Sequence, residues 1–170
     1  MCKLSDIKDA LDILVKKGTP KKNIEILHCL SQYPAEEENL NLKSIRFIKD
    51  KLNLPVGFSD HSLGYDASLI AIGLGARVVE KHFTLNKKLV GPDHKISLNP
   101  DELFQFIKKI RKAEKSLGNY IKKPHKDELI NLEFIRKKIV AKKEIFIGDK
   151  FTSNNLTTKR SKNGLPASSW

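Results

Sequence analysis

Two things are nearly missing from this chain: thiols and long apolar runs. Cys2 and Cys29 are the only cysteines, and they stand at no metal-binding spacing. Neither a disulfide framework nor a zinc finger is indicated, and both read as inert thiols of a reducing compartment. No apolar stretch approaches the ~20 residues that a membrane span needs, and Met1 to Ala10 is polar, with no signal-peptide core. These absences make the expected localisation cytoplasmic. The chain has 170 residues, enough for one ordinary domain but fewer than the roughly 200 to 250 of a complete eight-stranded β/α barrel. Any barrel here is therefore incomplete.

Acidic residues are scarce in one part only. Residues 1–102 carry 15 Lys and Arg against 14 Asp and Glu, whereas residues 103–170 carry 17 against 6. A basic stretch of that kind can meet nucleic acid, a membrane surface or small anions. No aromatic-interleaved basic motif accompanies it, so nucleic acid is not the expected partner and a lysine-rich solvated surface is the plainer account. Hydrophobic residues at 39% and charged residues at 31% describe a globular chain with material for a core.

What is present alternates. Ser5 to Val15 has helical apolar spacing, with Ser5 as the expected cap, Asp6 and Asp9 near the amino end and Gly18 as the stop. Ile24 to Cys29 reads as a strand broken by Tyr33-Pro34, and Leu42 to Leu52 as an amphipathic helix. Pro55 to Ser59 is a second strand, Asp66 to Leu74 a helix ended by Gly75, Ala76 to His82 a third strand, and Pro100 to Leu117 a long helix. The order αβαβαβα predicts an α/β fold with a parallel sheet. Residues 1–118 form the first domain, 119–134 a linker, and 135–170 the start of a small β-rich module. Within that module, Ile135 to Lys142, Glu144 to Asp149 and Leu156 to Arg160 are the expected β segments.

Chemistry concentrates where the strands end. His61 and His82 each follow an apolar run that gives way to polar residues, and in a parallel sheet such carboxyl ends open into a site. Two imidazoles from adjacent strands can share a Mn, Fe, Co, Ni or Zn ion and leave positions for water and substrate. Taken singly, either histidine fits a hydrogen-bonded structural role better. Gly91-Pro92-Asp93-His94-Lys95 is a polar loop in which Asp93 can bind sugar hydroxyls, or simply make a Pro-Asp turn. Ser31, Tyr33 and Ser59 also lie at strand ends, where hydroxyls can bind phosphate or carboxylate.

Taken in order, His28-Cys29-Leu30-Ser31-Gln32-Tyr33-Pro34, Asn41-Leu42, Phe58-Ser59-Asp60-His61-Ser62-Leu63-Gly64, Glu80-Lys81-His82-Phe83-Thr84 and Gly91-Pro92-Asp93-His94-Lys95 resemble the bacterial N-acetylneuraminate (sialic acid) synthase family. That family includes the legionaminic and pseudaminic acid synthases. The resemblance implies a partial β/α (TIM-type) barrel, its last three strand-helix units, followed by an incomplete antifreeze-like (SAF) domain. It implies condensation of phosphoenolpyruvate with an N-acylated hexose such as N-acetylmannosamine, giving a nine-carbon 2-keto acid and phosphate with the help of a divalent metal, Mn²⁺ above all. Position by position, His61 and His82 match the metal-binding and catalytic histidines, Ser31 and Ser59 the contacts to phosphoenolpyruvate, and Tyr33 and Asp93 the contacts to the sugar. Arg160 matches an arginine that reaches the partner subunit's sugar site, which implies a homodimer.

The match has departures. Family members carry several barrel strands before the point where this sequence starts, with lysines that grip phosphoenolpyruvate and an acid that serves as base. Ser31 stands where Asn or Thr is common, and Arg160-Ser161-Lys162 replaces an Arg-Pro-Gly turn. The expectation is a synthase fragment with little or no activity alone. Two other readings stand beside it: a basic anion- or nucleic-acid-binding module in residues 103–170, and an inert or dimerising fragment.

Overall fold

A computed structural model describes residues 1–170. The chain divides into two compact units, Met1–Asn119 and Tyr120–Trp170. No helix is long and apolar enough to cross a membrane.

The first unit is built as the alternation predicts. Helices α1 (Leu4–Lys16), α2 (Lys43–Leu52), α3 (Asp66–Gly73) and α4 (Pro100–Leu117) alternate with strands β1 (Ile26–Cys29), β2 (Val56–Asp60) and β3 (Val79–Lys81). The strands form one parallel sheet in the order β1-β2-β3. Ser5 does not cap α1. Lys3 holds the cap position, and the Lys3 backbone N–H donates to Asp6 Oδ2 at 2.7 Å, so the acidic first turn supplies the partner instead. At α4 the cap is reciprocal: Asn99 Oδ1 accepts from the Glu102 N–H and Glu102 Oε2 from the Asn99 N–H, both at 2.9 Å. Lys87 also donates to Glu102, and that hydrogen bond, with the cap's own, holds the Glu102 carboxyl below the usual carboxylate range. Gly75, at φ +98°, ends α3 in a backbone conformation that L side chains rarely adopt.

Side-chain alternation gives the sheet two different faces. Phe58 is fully buried and, with Val56, packs among Ile45, Ile48 and Leu52 of α2 and Ala67 and Ala71 of α3. The opposite face carries Leu27 and Cys29 of β1, Ser59 of β2 and Glu80 of β3, and Leu27 remains 36% exposed. Parallel sheets are ordinarily covered on both faces. Here one face is packed and the other is only partly open: on it the central β2 residues Gly57 and Ser59 are buried, while Leu27 of β1 and Glu80 of β3 are exposed.

The close approach of β2 to β3 depends on Gly57. A Cβ there would meet Leu27 Cδ2, and would stand 2.6 Å from the Val78 carbonyl oxygen. That oxygen accepts the Phe58 N–H at 2.9 Å, so it has no freedom to withdraw. Gly57→Ala is expected to cost about 1–3 kcal/mol through overpacking. The measurement is the urea midpoint at unchanged m-value, and a variant as stable as the parent would show that the strands can part without loss.

In the second unit, β4 (Lys137–Ala141) lies between β5 (Leu156–Arg160) and β6 (Leu165–Pro166) in an antiparallel sheet. Residues read from sequence as linker are in part helical: α5 spans Lys126–Ile135, with the His125 N–H donating to Glu128 Oε2 at 2.6 Å. Glu144 to Asp149 is not a strand. The Phe146 N–H donates to Asp149 Oδ2 at 2.9 Å and Gly148 sits at φ +99°, so local turn bonds replace cross-strand pairing.

Candidate functional site

The partly open face leads into a cluster of rings at the carboxyl ends of the strands. His61 follows β2 and His82 follows β3, and their ring centroids are 5.4 Å apart. Tyr33, from the loop after β1, packs against both, at 5.0 Å from His61 and 4.2 Å from His82. The three rings come from three successive βα connections, which is why their spacing in sequence says nothing of their contact.

The orientation of His61 is set from behind. Its Nδ1 lies 3.0 Å from the Leu30 carbonyl oxygen, a group that can only accept, so Nδ1 carries the proton. In the neutral ring this leaves the lone pair on Nε2. A backbone carbonyl holding one ring nitrogen is the usual support of a metal-binding histidine. His82 Nδ1 lies 3.9 Å from Asp93 Oδ2, and both side chains are partly exposed.

The Tyr33 hydroxyl is buried without a hydrogen-bond partner. Buried polar groups are almost always paired, so an unpaired one at the edge of a site marks a place for a ligand's polar atom. Burial raises the phenol's pKa, Ser97 standing close enough to draw it down but out of hydrogen-bond geometry, and the Asp93 charge raises it again. The result is a neutral phenol at physiological pH, a donor in waiting. Ser97 donates its own proton to the Asp93 carbonyl at 2.7 Å.

Ser59 is buried, and its hydroxyl donates to Glu80 Oε1 at 2.7 Å. A hydroxyl has one proton. Donation to an anion at this position means giving up Glu80. Ser31 is exposed and lines a groove with His28, Leu30, Asn41 and Ser44. Arg160 lies exposed on β5 in the second unit, opposite Lys137. The structure thus brings Tyr33, His61, His82 and Asp93 together, sets Ser59 on the same face of β2 as His61, and leaves Ser31 at the rim.

The two adjacent imidazoles would offer a divalent ion a partial donor set of two nitrogens. One imidazole has its tautomer fixed, the second stands beside it, and remaining positions fall to water or substrate oxygens. No group of three or more His, Cys, Asp or Glu side chains is placed so as to hold a metal ion.

Sequence reasoning missed what lies on the packed side. Asp60 is 1% exposed, and its Oδ1 accepts from the Ser62 N–H at 2.9 Å and the Ser62 hydroxyl at 2.6 Å. Its Oδ2 accepts from Ser68 and pairs with Lys81 Nζ at 3.0 Å. Lys81 donates as well to the Ser62 carbonyl at 2.7 Å. The available signal was a pair of opposite charges, each placed one residue before a histidine at the end of an apolar strand. Charges in such strands are seldom buried unless paired.

Comparison with known proteins finds a consistent set of relatives. The chain is 48% identical over 167 residues to the N,N'-diacetyllegionaminic acid synthase of Campylobacter jejuni, covering 98% of this chain and 50% of that one. It is 40% identical over 149 residues to the pseudaminic acid synthase of the same species, covering 88% and 43%. Among solved structures, the N-acetylneuraminic acid synthetase of Leptospira borgpetersenii superposes with a TM-score of 0.70 at 36% identity, over 79% of this chain and 46% of that one. The chain spans about half the length of the curated relatives it matches. The NeuB family model matches residues 1–122, and with that match over most of its length the chain belongs to the NeuB family.

Proposed function

We propose that this chain carries one half of a nonulosonic (sialic-type) acid synthase site, which joins phosphoenolpyruvate to an N-acylated hexose aldehyde. The observation that carries the reading is the ring cluster: two imidazoles 5.4 Å apart from adjacent parallel strands, with Tyr33 packed on both. The relatives named above as synthases of legionaminic, pseudaminic and neuraminic acids support the substrate class.

In this reading His61 and His82 hold a divalent ion, Mn²⁺, which when bound supplies Lewis-acid polarisation to the aldehyde oxygen. Leu30 keeps the His61 lone pair available by holding the Nδ1 proton. The buried Tyr33 phenol donates to a sugar oxygen, the partner it lacks, while Asp93 accepts from a sugar hydroxyl. Ser59 exchanges Glu80 for phosphoenolpyruvate, and Ser31 meets the same substrate from the β1 loop. The new bond forms between phosphoenolpyruvate C3 and the aldehyde carbon, water adds at C2, and the C2–O bond to phosphate breaks to leave a keto group, the water's two protons going to the former aldehyde oxygen and to the departing phosphate. Much of the rate comes from holding both reactants in line.

The partly open sheet face and the uncovered edges of β1 and β3 support a partial TIM-type barrel, since closure alone removes such edges. The second unit is read as the beginning of an SAF domain, from which Arg160 serves a partner's sugar site in a homodimer. The chain covers about half the length of its curated relatives, and in this reading the remaining phosphoenolpyruvate contacts come from the half it does not match. The chain alone is therefore expected to release no phosphate from phosphoenolpyruvate and N-acetylmannosamine with Mn²⁺. Paired with the unmatched half of the Campylobacter jejuni synthase, it is expected to do so. Turnover by the chain alone would overturn the half-site reading, and turnover by the pair that survives His61→Ala would overturn the site.

A second reading has one specific observation behind it. Lys137 stands opposite Arg160 and Lys138 opposite Lys159 across β4 and β5, a pairing of like charges that destabilises a sheet unless an anion offsets it. If the second unit binds nucleic acid or another polyanion, its affinity falls steeply with salt.

A further inference from the structure

The face of the sheet that packs on the helices carries a charged pair that the chemistry above does not use. Asp60 and Lys81 are register partners at the ends of β2 and β3, their side chains are 0% and 5% exposed, and they meet at 3.0 Å. Each is the residue immediately before a site histidine.

We infer that Asp60 and Lys81 are positioning residues, a buried clamp across two strands that sets the separation and direction of His61 and His82. The inference rests on the reading that those two histidines hold the metal. Alternation sends residues 60 and 81 to the packed face and residues 61 and 82 to the open one, so the pair touches no substrate and acts only through the backbone.

That backbone is gripped from every side. Ser62, just after His61, is held at its N–H and hydroxyl by Asp60 and at its carbonyl by Lys81. Ser68, fully buried in α3, ties the same carboxylate to the helix behind the sheet. The His61 carbonyl accepts from the Ala35 N–H and the His82 carbonyl from the Leu98 N–H, both at 2.9 Å, so both histidines sit in locked chain. The β2–β3 ladder and the Ser59–Glu80 hydrogen bond also link these segments, but the clamp is the link placed directly at the two residues that precede the histidines.

Stability is a poor reason for such a pair. A buried ion pair gains little over well-packed apolar groups of the same volume, because both charges lose their water. What it adds is register: one carboxylate geometry satisfies Ser62, Ser68 and Lys81 at once. A one-residue slip of β3 against β2 would bury both charges unpaired and turn His82 away from His61.

The test is Mn²⁺ affinity, followed by the electron paramagnetic resonance of the free ion, on the full 170-residue chain. Asp60→Asn and Lys81→Met are expected to weaken binding about 10- to 100-fold, as outer support of metal ligands typically does. Ser68→Ala removes one bond to the clamp and is expected to give a smaller loss in the same direction, so it keeps the test open if the charged variants do not fold. A lower melting temperature with unchanged affinity of the folded protein would make the pair merely structural and overturn the inference. His61→Ala distinguishes the foundation: if it too leaves Mn²⁺ binding unchanged, the metal reading falls and the clamp's role falls with it.

Discussion

His61→Ala and His82→Ala are each expected to abolish Mn²⁺ binding at micromolar ion while lowering the melting temperature by only a few degrees. The reasoning separates affinity from stability. His82 is 38% exposed in its side chain and His61 is half-buried at the rim, so neither fills the core. His61 gives up one hydrogen bond to the Leu30 carbonyl, worth about 0.5–1.5 kcal/mol net, and water can reach the freed carbonyl. The metal is affected far more, because with two imidazoles and no third His, Cys, Asp or Glu placed to join them on an ion each histidine is half of the nitrogen donors. Loss of a direct ligand exceeds the roughly 10- to 100-fold typical of outer support. Competition with a chelating dye reads the result. Wild-type affinity in both variants would remove the metal from the site.

Phe58→Ala is expected to have the largest effect on folding. Phe58 is 0% exposed on the central strand, in the cluster with Ile45, Ile48, Val56 and Ala71, and its ring stacks with His28 at 6.1 Å between centroids. Truncating a buried phenylalanine costs about 3–5 kcal/mol, the lost transfer energy plus the cavity left behind. Domains of this size have about 5–15 kcal/mol in all. The unit's other apolar cluster, Ile72, Leu98, Phe106 and Ile110, is separate and does not include Phe58, so it cannot take up the loss. Equilibrium denaturation of the variant would show it, with Phe47→Ala as control: Phe47 is 50% exposed on α2 and its truncation is expected to cost well under half as much. Equal effects at both positions would mean that the packed face is not the core.

The alternation of helices and strands was legible because each element carries its own period. α4 begins and ends at Pro100 and Leu117 as read, since Asn99 and Glu102 announce its start and Gly118 its end. The apolar run predicts a third strand over Ala76 to His82, whereas β3 spans Val79–Lys81, with the Arg77 N–H and the Val78 carbonyl bonding to β2 just ahead of it, because strand length is set by what the neighbour offers and not by apolar residues alone. Helix α5 escaped notice for the opposite reason: its apolar residues follow no clear stripe, and its start is signalled only by His125 and Glu128. The site was legible as a set of positions once the ordered motifs were compared with a family. As chemistry it was weaker, since each histidine taken alone also fitted a structural role.

By itself the sequence determined the order of elements, the strand-end placement of His61 and His82 and, through its ordered motifs, membership of the NeuB family. These rest on local periodicity and on residue identity, which need no contact between distant segments. Only the tertiary structure decided that Tyr33 packs against both histidines with its hydroxyl buried and unpaired, that Leu30 fixes the proton on His61 Nδ1, and that Asp60 and Lys81 meet beneath the site. Each of those joins residues from different strands and loops, and the pairing of parallel strands through intervening helices is a long-range choice made by packing.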